Sequence, residues 1–233
     1  MTDADLDSRA LWLELPALSP SAPSRLLVFL HGAGSRPEAF VPVALAWQLK
    51  FPGATVAILQ GPTIAPGGQG FDWYAEGRSA AERLARADAA ADDVAARVRT
   101  LQRTNGLDAA RTVLIGFSQG ATVALQALRG DQALCAIVVA YAARLASPIR
   151  PGEQIAAAVH LVHGEFDTLV PLVWARRALQ GLRAAGADVT LDIGTEDGHG
   201  IGQEGVIMGT TRVMQTIFRG RRAPARPASR LLH

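Results

Sequence analysis

The chain has one cysteine in 233 residues, so no internal disulfide can staple it and its stability must come from packing. Cys135 lies against the apolar run Ala136–Ala140 and reads as an inert buried thiol, not a nucleophile. Long apolar stretches are missing too. The longest run without a polar side chain other than Cys or Tyr is Ala133–Ala143, well short of the roughly 20 residues that span a bilayer. The opening residues MTDADLDSRA carry three aspartates and no apolar segment, unlike a secretory leader. There is no HExxH, no clustered Cys/His spacing and no GxxxxGK[ST], so no metal and no nucleotide is implied and no cofactor is expected. Stable membrane insertion is not expected, and the cytoplasm is the default location.

Charge is uneven along the chain. The pI of about 9.2 suggests a nucleic-acid partner, but the basicity is local. Residues 219–233 hold Arg219, Arg221, Arg222, Arg226 and Arg230 with no acid, so a chain of net +2 has a body, residues 1–218, near −3. That composition predicts a solvated, disordered tail over 220–233. The body lacks the basic-aromatic pattern of a nucleic-acid binder, and none is expected as a partner. An apolar content of 49% with 19% charged residues belongs to a globular chain, and this length fits one domain over 25–219 after an N-terminal extension, 1–24.

Short apolar runs alternate with helical patterns. Leu26–Leu30, Thr55–Leu59, Thr112–Ile115, Ala136–Ala140, Val159–Val162 and Val189–Ile193 read as strands covered on both faces. Over Ala80–Thr104, residues Leu84, Ala87, Ala91, Val94, Val98 and Leu101 advance by three and four, and Asn105-Gly106 supplies a stop. Helices are also expected over Gln119–Arg129, over Leu172–Ala185 and around Val206, Thr210, Val213 and Ile217. The alternation predicts an α/β fold with a doubly wound, mostly parallel sheet flanked by helices. Between them, Gln60–Ser79 is too rich in Pro and Gly for a regular element, yet it holds Phe71, Trp73 and Tyr74. Those aromatics either pack the loop onto the core or serve a function.

One pentapeptide stands in an informative place. Gly116-Phe117-Ser118-Gln119-Gly120 joins the strand TVLI to the helix ATVALQAL, which is the strand–turn–helix context a nucleophile elbow requires. The sharp turn strains the serine, and glycines on either side remove Cβ atoms that would clash. A serine hydroxyl needs a base, and on such a scaffold an acid and then a histidine follow the serine. Of five histidines, His31, His160 and His163 precede the candidate acid loop or lie in strands, and His233 ends the tail, leaving His199. The acid should follow a strand end, which selects Asp167 with Glu165 as rival. Asp131 follows a helix, Asp188 begins a strand, and Asp197 is too near His199. Backbone donors for an oxyanion are expected from Gln119, after the nucleophile, and from Ala33 in His31-Gly32-Ala33-Gly34. His31 reads as a brace for that loop.

Four segments, LHGAG (30–34), GFSQG (116–120), HGEFDTLVP (163–171) and GHGI (198–201), resemble the phospholipase/carboxylesterase group of α/β-hydrolases, which includes acyl-protein thioesterases. The similarity covers about residues 26–218 and is greatest to the small bacterial esterases, whose glycine-rich loop carries an aromatic pair like that in Asp72-Trp73-Tyr74. The resemblance implies an α/β-hydrolase fold without a large lid. It also implies a Ser118–Asp167–His199 triad, favouring Asp167 over Glu165, and oxyanion amides at Ala33 and Gln119. Two positions depart from the family pattern: Ser35 replaces a frequent acid, and Ala121 a frequent glycine. The expected reaction is hydrolysis of small-molecule carboxylic esters or thioesters. Phe71, Trp73 and Val170 are expected to offer apolar surface to short or medium acyl chains in an open groove. The same triad would also serve a lysophospholipid, lactone or peptide. The non-enzyme alternative is a hydrolase fold kept as a binding protein, whose usual mark, loss of a triad member, is absent. The sequence leaves a homodimer open.

Overall fold

The computed structural model describes residues 12–195 and 197–220. Seven strands form one sheet in the order β1-β3-β2-β6-β7-β8-β9: β1 (Trp12–Leu15), β2 (Arg25–Leu30), β3 (Ala54–Leu59), β6 (Thr112–Phe117), β7 (Ile137–Tyr141), β8 (Ala158–Gly164) and β9 (Val189–Gly194). All neighbours run parallel except β1, which pairs antiparallel with β3 at the edge. β4 (Thr63–Ile64) and β5 (Phe71–Asp72) form a separate small hairpin. Five helices cover the sheet: α1 (Pro37–Lys50), α2 (Ala80–Asn105), α3 (Gln119–Gly130), α4 (Val173–Ala184) and α5 (Gln203–Gly220).

The near-continuous apolar strands are explained by a core on each face. Along β2, Leu26, Val28 and Leu30 join the core under α2, α3 and α4, while Leu27 and Phe29 join the one under α1 and α5. The period of two thus delivers successive residues to opposite sides, and every one is buried. Fully burying each such side chain contributes about 1.5–3 kcal/mol before conformational entropy is charged against it. Cys135 is buried, and burial pushes its thiol up to about 12, in line with an inert thiol.

The helix signals of α2 are reciprocal. Ser79 caps its start by accepting the Glu82 N–H, Glu82 accepts the Arg78 N–H, and Gly106 ends it in the left-handed region at φ 62°. Several elements were not expected. The segment Gln60–Ser79, read as too rich in Pro and Gly for a regular element, holds the short β4–β5 hairpin, whose two-residue strands need no long apolar run. Residues 12–15 of the anticipated N-terminal extension form β1. α1 was unread because it starts at Pro37, contains Pro42, and leaves Leu45 and Leu49 exposed beside buried Phe40, Ala44 and Trp47, so no clean stripe forms. The segment 1–11 and residues 221–233, all of the expected 220–233 tail but its first residue, lie outside the described residues.

Strand order is what places the site. The chain steps from β2 outward to β3, then crosses back to β6 on the other side of β2, a topological switch point. Leu30 pairs with Gly116, so the loops leaving β2 and β6 emerge side by side at the sheet's C-terminal edge.

Candidate active site

Ser118 sits between β6 and α3 at φ 53°, ψ −113°, a strained conformation costing about 1–3 kcal/mol that its surroundings enforce. A Cβ on Gly116 would lie 2.5 Å from the Ala121 Cα, and one on Gly120 would lie 2.4 Å from the Leu30 carbonyl oxygen. Only glycine permits β2, β6 and α3 to close around the turn. The Ser118 N–H donates to the Tyr141 carbonyl at 2.9 Å, anchoring the elbow on β7. The only other non-glycine residue with positive φ among those described is Ala142, φ 49°, at the end of β7 facing the same cavity.

Three side chains meet in series. His199 Nε2 lies 3.1 Å from Ser118 Oγ, and His199 Nδ1 lies 2.8 Å from Asp167 Oδ2. With Nδ1–H donating to the carboxylate, Nε2 is left to accept the serine proton. The Asp167 side chain is fully buried, and its Oδ1 accepts the N–H groups of Leu169 at 3.0 Å and Val170 at 2.8 Å. Three hydrogen bonds accepted by one carboxylate therefore fix its plane toward His199. Glu165, the alternative acid, is exposed and makes no such contact. A second imidazole stands behind the acid: His163 donates Nε2–H to the Val170 carbonyl at 2.7 Å and lies 3.6 Å from Asp167 Oδ2. Sequence order had set His163 aside as a strand residue, and nothing in the spacing points to its place beside the acid.

Asp197 supports the loop and does not approach the histidine ring from behind. Its carbonyl accepts the Phe166 N–H at 3.1 Å, and its carboxylate packs where Cβ atoms on Gly194 and Gly202 would stand. The string Gly200-x-Gly202-x-x-Gly205 spells a dinucleotide fingerprint, but it follows β9, and no later strand among the described residues completes a βαβ unit. Its glycine at 202 is explained by the close approach of Asp197.

The loop after β2 is bound from several directions. His31 is fully buried; its Nδ1–H donates to Gly32 O at 2.8 Å, and its Nε2 accepts the Gly61 N–H at 3.0 Å. Burial holds its pKa below the ordinary histidine value, in keeping with this neutral tautomer. Asp72 Oδ1 accepts the Gly34 N–H at 2.7 Å, and Ser35 bridges Phe71. Ser35, one of the two departures from the family pattern, contributes backbone at this point. Ala33 and Gln119 line the cavity beside Ser118, and neither backbone N–H finds an acceptor among the described residues. Two free donors therefore flank the serine at the N-terminus of α3.

The aromatic loop has a different role from the one anticipated. Trp73 is 2% exposed, its indole N–H donates to the His31 carbonyl at 2.7 Å, and its ring packs on the His31 ring. An indole with an N–H to satisfy is stable inside the protein only with an acceptor, and it found one on the loop after β2. Phe71 is half-buried in β5 and does not line the cavity. Of the three residues expected to meet substrate, only Val170 lines it, with Leu169, Phe117 and Ala142 supplying further apolar surface. The Gln119 side chain was not foreseen. Its Oε1 accepts the Trp73 N–H at 2.7 Å and its Nε2 donates to the Tyr74 carbonyl at 2.9 Å, pinning the loop to α3. The cavity over the triad has a volume of about 440 Å³.

A nucleophile elbow on a seven-stranded, mostly parallel sheet, a Ser–His–Asp series and a braced loop with free amides define the α/β-hydrolase class. The profile of the phospholipase/carboxylesterase family matches residues 18–211, and the chain belongs to that family. It is 35% identical to the esterase YpfH of Escherichia coli (strain K12) over 185 residues, 78% of this chain and 79% of that protein. The crystal structure of esterase PE8 superposes with a TM-score of 0.80 at 31% identity, covering 87% of this chain and 97% of the other. A carboxylesterase from Mesorhizobium loti, at 21% identity and a TM-score of 0.74 over 87% and 93% of the two chains, shares the fold. The chain is a carboxylesterase-type hydrolase. No helix among the described residues is long and apolar enough to cross a membrane.

Proposed function

We propose that this enzyme cleaves carboxylic esters or thioesters of short to medium acyl chains through an acyl-Ser118 intermediate. The observation that carries the reading is the unbroken hydrogen-bond series Ser118 Oγ, His199 Nε2, His199 Nδ1, Asp167 Oδ2 beside two free amides. Ser118 Oγ attacks the substrate carbonyl carbon while its proton passes to His199 Nε2. The carbonyl oxygen becomes an oxyanion facing the Ala33 and Gln119 N–H groups, each such donor being worth about 3–4 kcal/mol in the transition state. Collapse expels the alcohol or thiol, which takes the proton from His199. Water, deprotonated by the same nitrogen, then releases the acid and restores Ser118. Asp167 orients the imidazole and stabilises its charged form without taking the proton. The modest cavity and the absence of a lid among the described residues favour short and medium acyl chains. A single buried cysteine suits a reducing compartment, and we place the enzyme in the cytoplasm.

Reaction with a fluorophosphonate probe, read by intact-protein mass, tests the mechanism. One adduct is expected on wild type and none on Ser118→Ala. Folded wild type without an adduct would overturn the reading.

A further inference from the structure

Next to the triad lies a second cavity of about 520 Å³, entered past Tyr74, Thr122 and Arg144, which line both spaces. Its wall carries Arg83, Arg144 and Arg177 and not one acid, in a protein whose body is net negative. Between the arginines the surface is apolar, from Leu145, Pro148, Ile149 and Ala178. Most other arginines near it are spent on neighbours: Arg86 pairs with Glu82, and Arg129 with Glu153. Arg83 has no ion pair among the described residues, and Arg177 only stacks, its guanidinium carbon 4.9 Å from the Trp174 ring centroid. Arg144 has one loose acid, Glu76, at 3.8 Å, with the two side chains 44% and 73% exposed. An exposed pair at that separation is worth little and leaves the guanidinium open to a better partner.

The segment that carries Arg144 is held firmly. Thr122 Oγ1, one turn into α3 from the nucleophile, donates to the Arg144 carbonyl at 3.0 Å. The Tyr74 hydroxyl lies close to the Arg144 and Arg83 charges, both of which oppose the burial that raises its pKa. The passage between the cavities therefore carries Arg144 with its loosely held Glu76, and the chamber beyond it is apolar with a cationic rim. A neutral acyl chain would leave Arg83 and Arg177 with water as their only partner and Arg144 with its loose Glu76, whereas an anion would take charge-assisted, forked hydrogen bonds from all three.

Direction follows from the chemistry. A leaving group must face His199 to receive its proton, and His199, Leu169 and Val170 line only the triad cavity. What enters the arginine chamber is then the acyl part. Resting on the hydrolase reading above, we propose that the substrates are esters or thioesters whose acyl chain ends in a carboxylate: half-esters of aliphatic dicarboxylic acids, with methylenes on the apolar floor and the free carboxylate among Arg83, Arg144 and Arg177.

The test compares p-nitrophenyl hydrogen suberate with its methyl-capped analogue, which has the same chain without the charge. Wild type should favour the free acid by about tenfold in kcat/KM, the scale of a charge-assisted contact. The preference should shrink as salt rises from about 0.1 M to 1 M and the screening length shortens from ~10 to ~3 Å. In Arg83→Gln/Arg177→Gln the ratio of the two esters should fall to about one, and in Arg177→Glu it should invert. A second pair, 4-acetoxybenzoate and its methyl ester, puts the charge on the leaving group and should show no arginine-dependent preference. Equal turnover of the suberate pair by wild type, a preference untouched by the variants, or a preference confined to 4-acetoxybenzoate would each overturn the proposal. These outcomes leave the hydrolase reading standing. No turnover of any ester together with no Ser118 adduct would overturn both.

Discussion

Asp72 Oδ1 accepts the backbone N–H of Gly34 at 2.7 Å, so a carboxylate 38 residues away along the chain sets the loop that presents the Ala33 amide. This contact spans the β4–β5 hairpin and the turn after β2, and Arg36 reinforces it by donating Nε–H to the Gln69 carbonyl at 2.6 Å. Removing the acceptor should misplace an oxyanion donor without touching the triad. Asp72→Ala is expected to lower kcat by about 10- to 100-fold with a small change in KM, whereas Asp72→Asn, which keeps an acceptor oxygen, should recover much of the loss. Equal effects of both on KM alone would place Asp72 in substrate binding instead.

Asp167→Asn keeps the shape of the buried acid but offers an amide to the Nδ1 side of His199, favouring the wrong tautomer. On the scale seen for such triads, kcat should fall by about 10⁴. Glu165→Gln, at the exposed neighbour, should leave kcat within about twofold. Reversal of that order would reinstate Glu165 as the acid.

Gly120→Ala should be among the most damaging single-methyl changes in the chain. The new Cβ would meet the carbonyl oxygens of Leu30 at 2.4 Å and His31 at 2.5 Å, both backbone and neither able to swing aside. A loss of more than about 3 kcal/mol, or insoluble expression, is expected. Gly130→Ala, with open space around the same added atom, should be neutral or slightly stabilising by thermal unfolding.

The strands were legible because a sheet covered on both faces needs continuous apolar runs, and each expected run lies within a residue or two of the observed one. The elbow was legible because three requirements coincide on five residues. What could not be read were partners brought together by closure. Gln119 meets Trp73 across 46 positions, and the indole that looked like a substrate platform is consumed in bracing His31. A tryptophan in a loop carries no mark of which face it will turn to. α1 was hidden for a local reason, two prolines and apolar residues on several faces.

Trp73 can be tested in that corrected role. Trp73→Phe keeps most of the ring but leaves the buried His31 carbonyl unsatisfied. Stability should drop by about 1–3 kcal/mol in denaturant unfolding, and the ranking of acyl chain lengths should stay as in wild type. A changed ranking at unchanged stability would return Trp73 to the substrate.

His160 gives the fold an acid limit. It is buried between Thr190 and Thr216, each 3.0 Å from a ring nitrogen, and burial pushes its pKa down to about 4 while Asp188 and Asp192 oppose Arg212 and Arg219. The unfolded chain protonates this ring near pH 6.5, so its stabilising contribution is complete above that value and is lost as pH falls toward 4. The loss amounts to on the order of 3 kcal/mol. Urea midpoints at pH 7.5 and 4.5 should diverge in wild type and converge in His160→Gln, apart from a residue owed to His31, whose pKa is lowered in the same sense.

The reacting groups all hang from strand ends of one sheet, whereas the arginine chamber is walled by the crossover after β7, the start of α2 and the outer face of α4. Chemistry and selectivity are thus mounted on separable parts. No residue of 144–149 belongs to a strand pair, so side-chain changes there leave the sheet register alone while Ala143 stays in the core. Libraries aimed at new substrates have a natural place to begin there, with Thr122 kept as the fastening point and the elbow left alone.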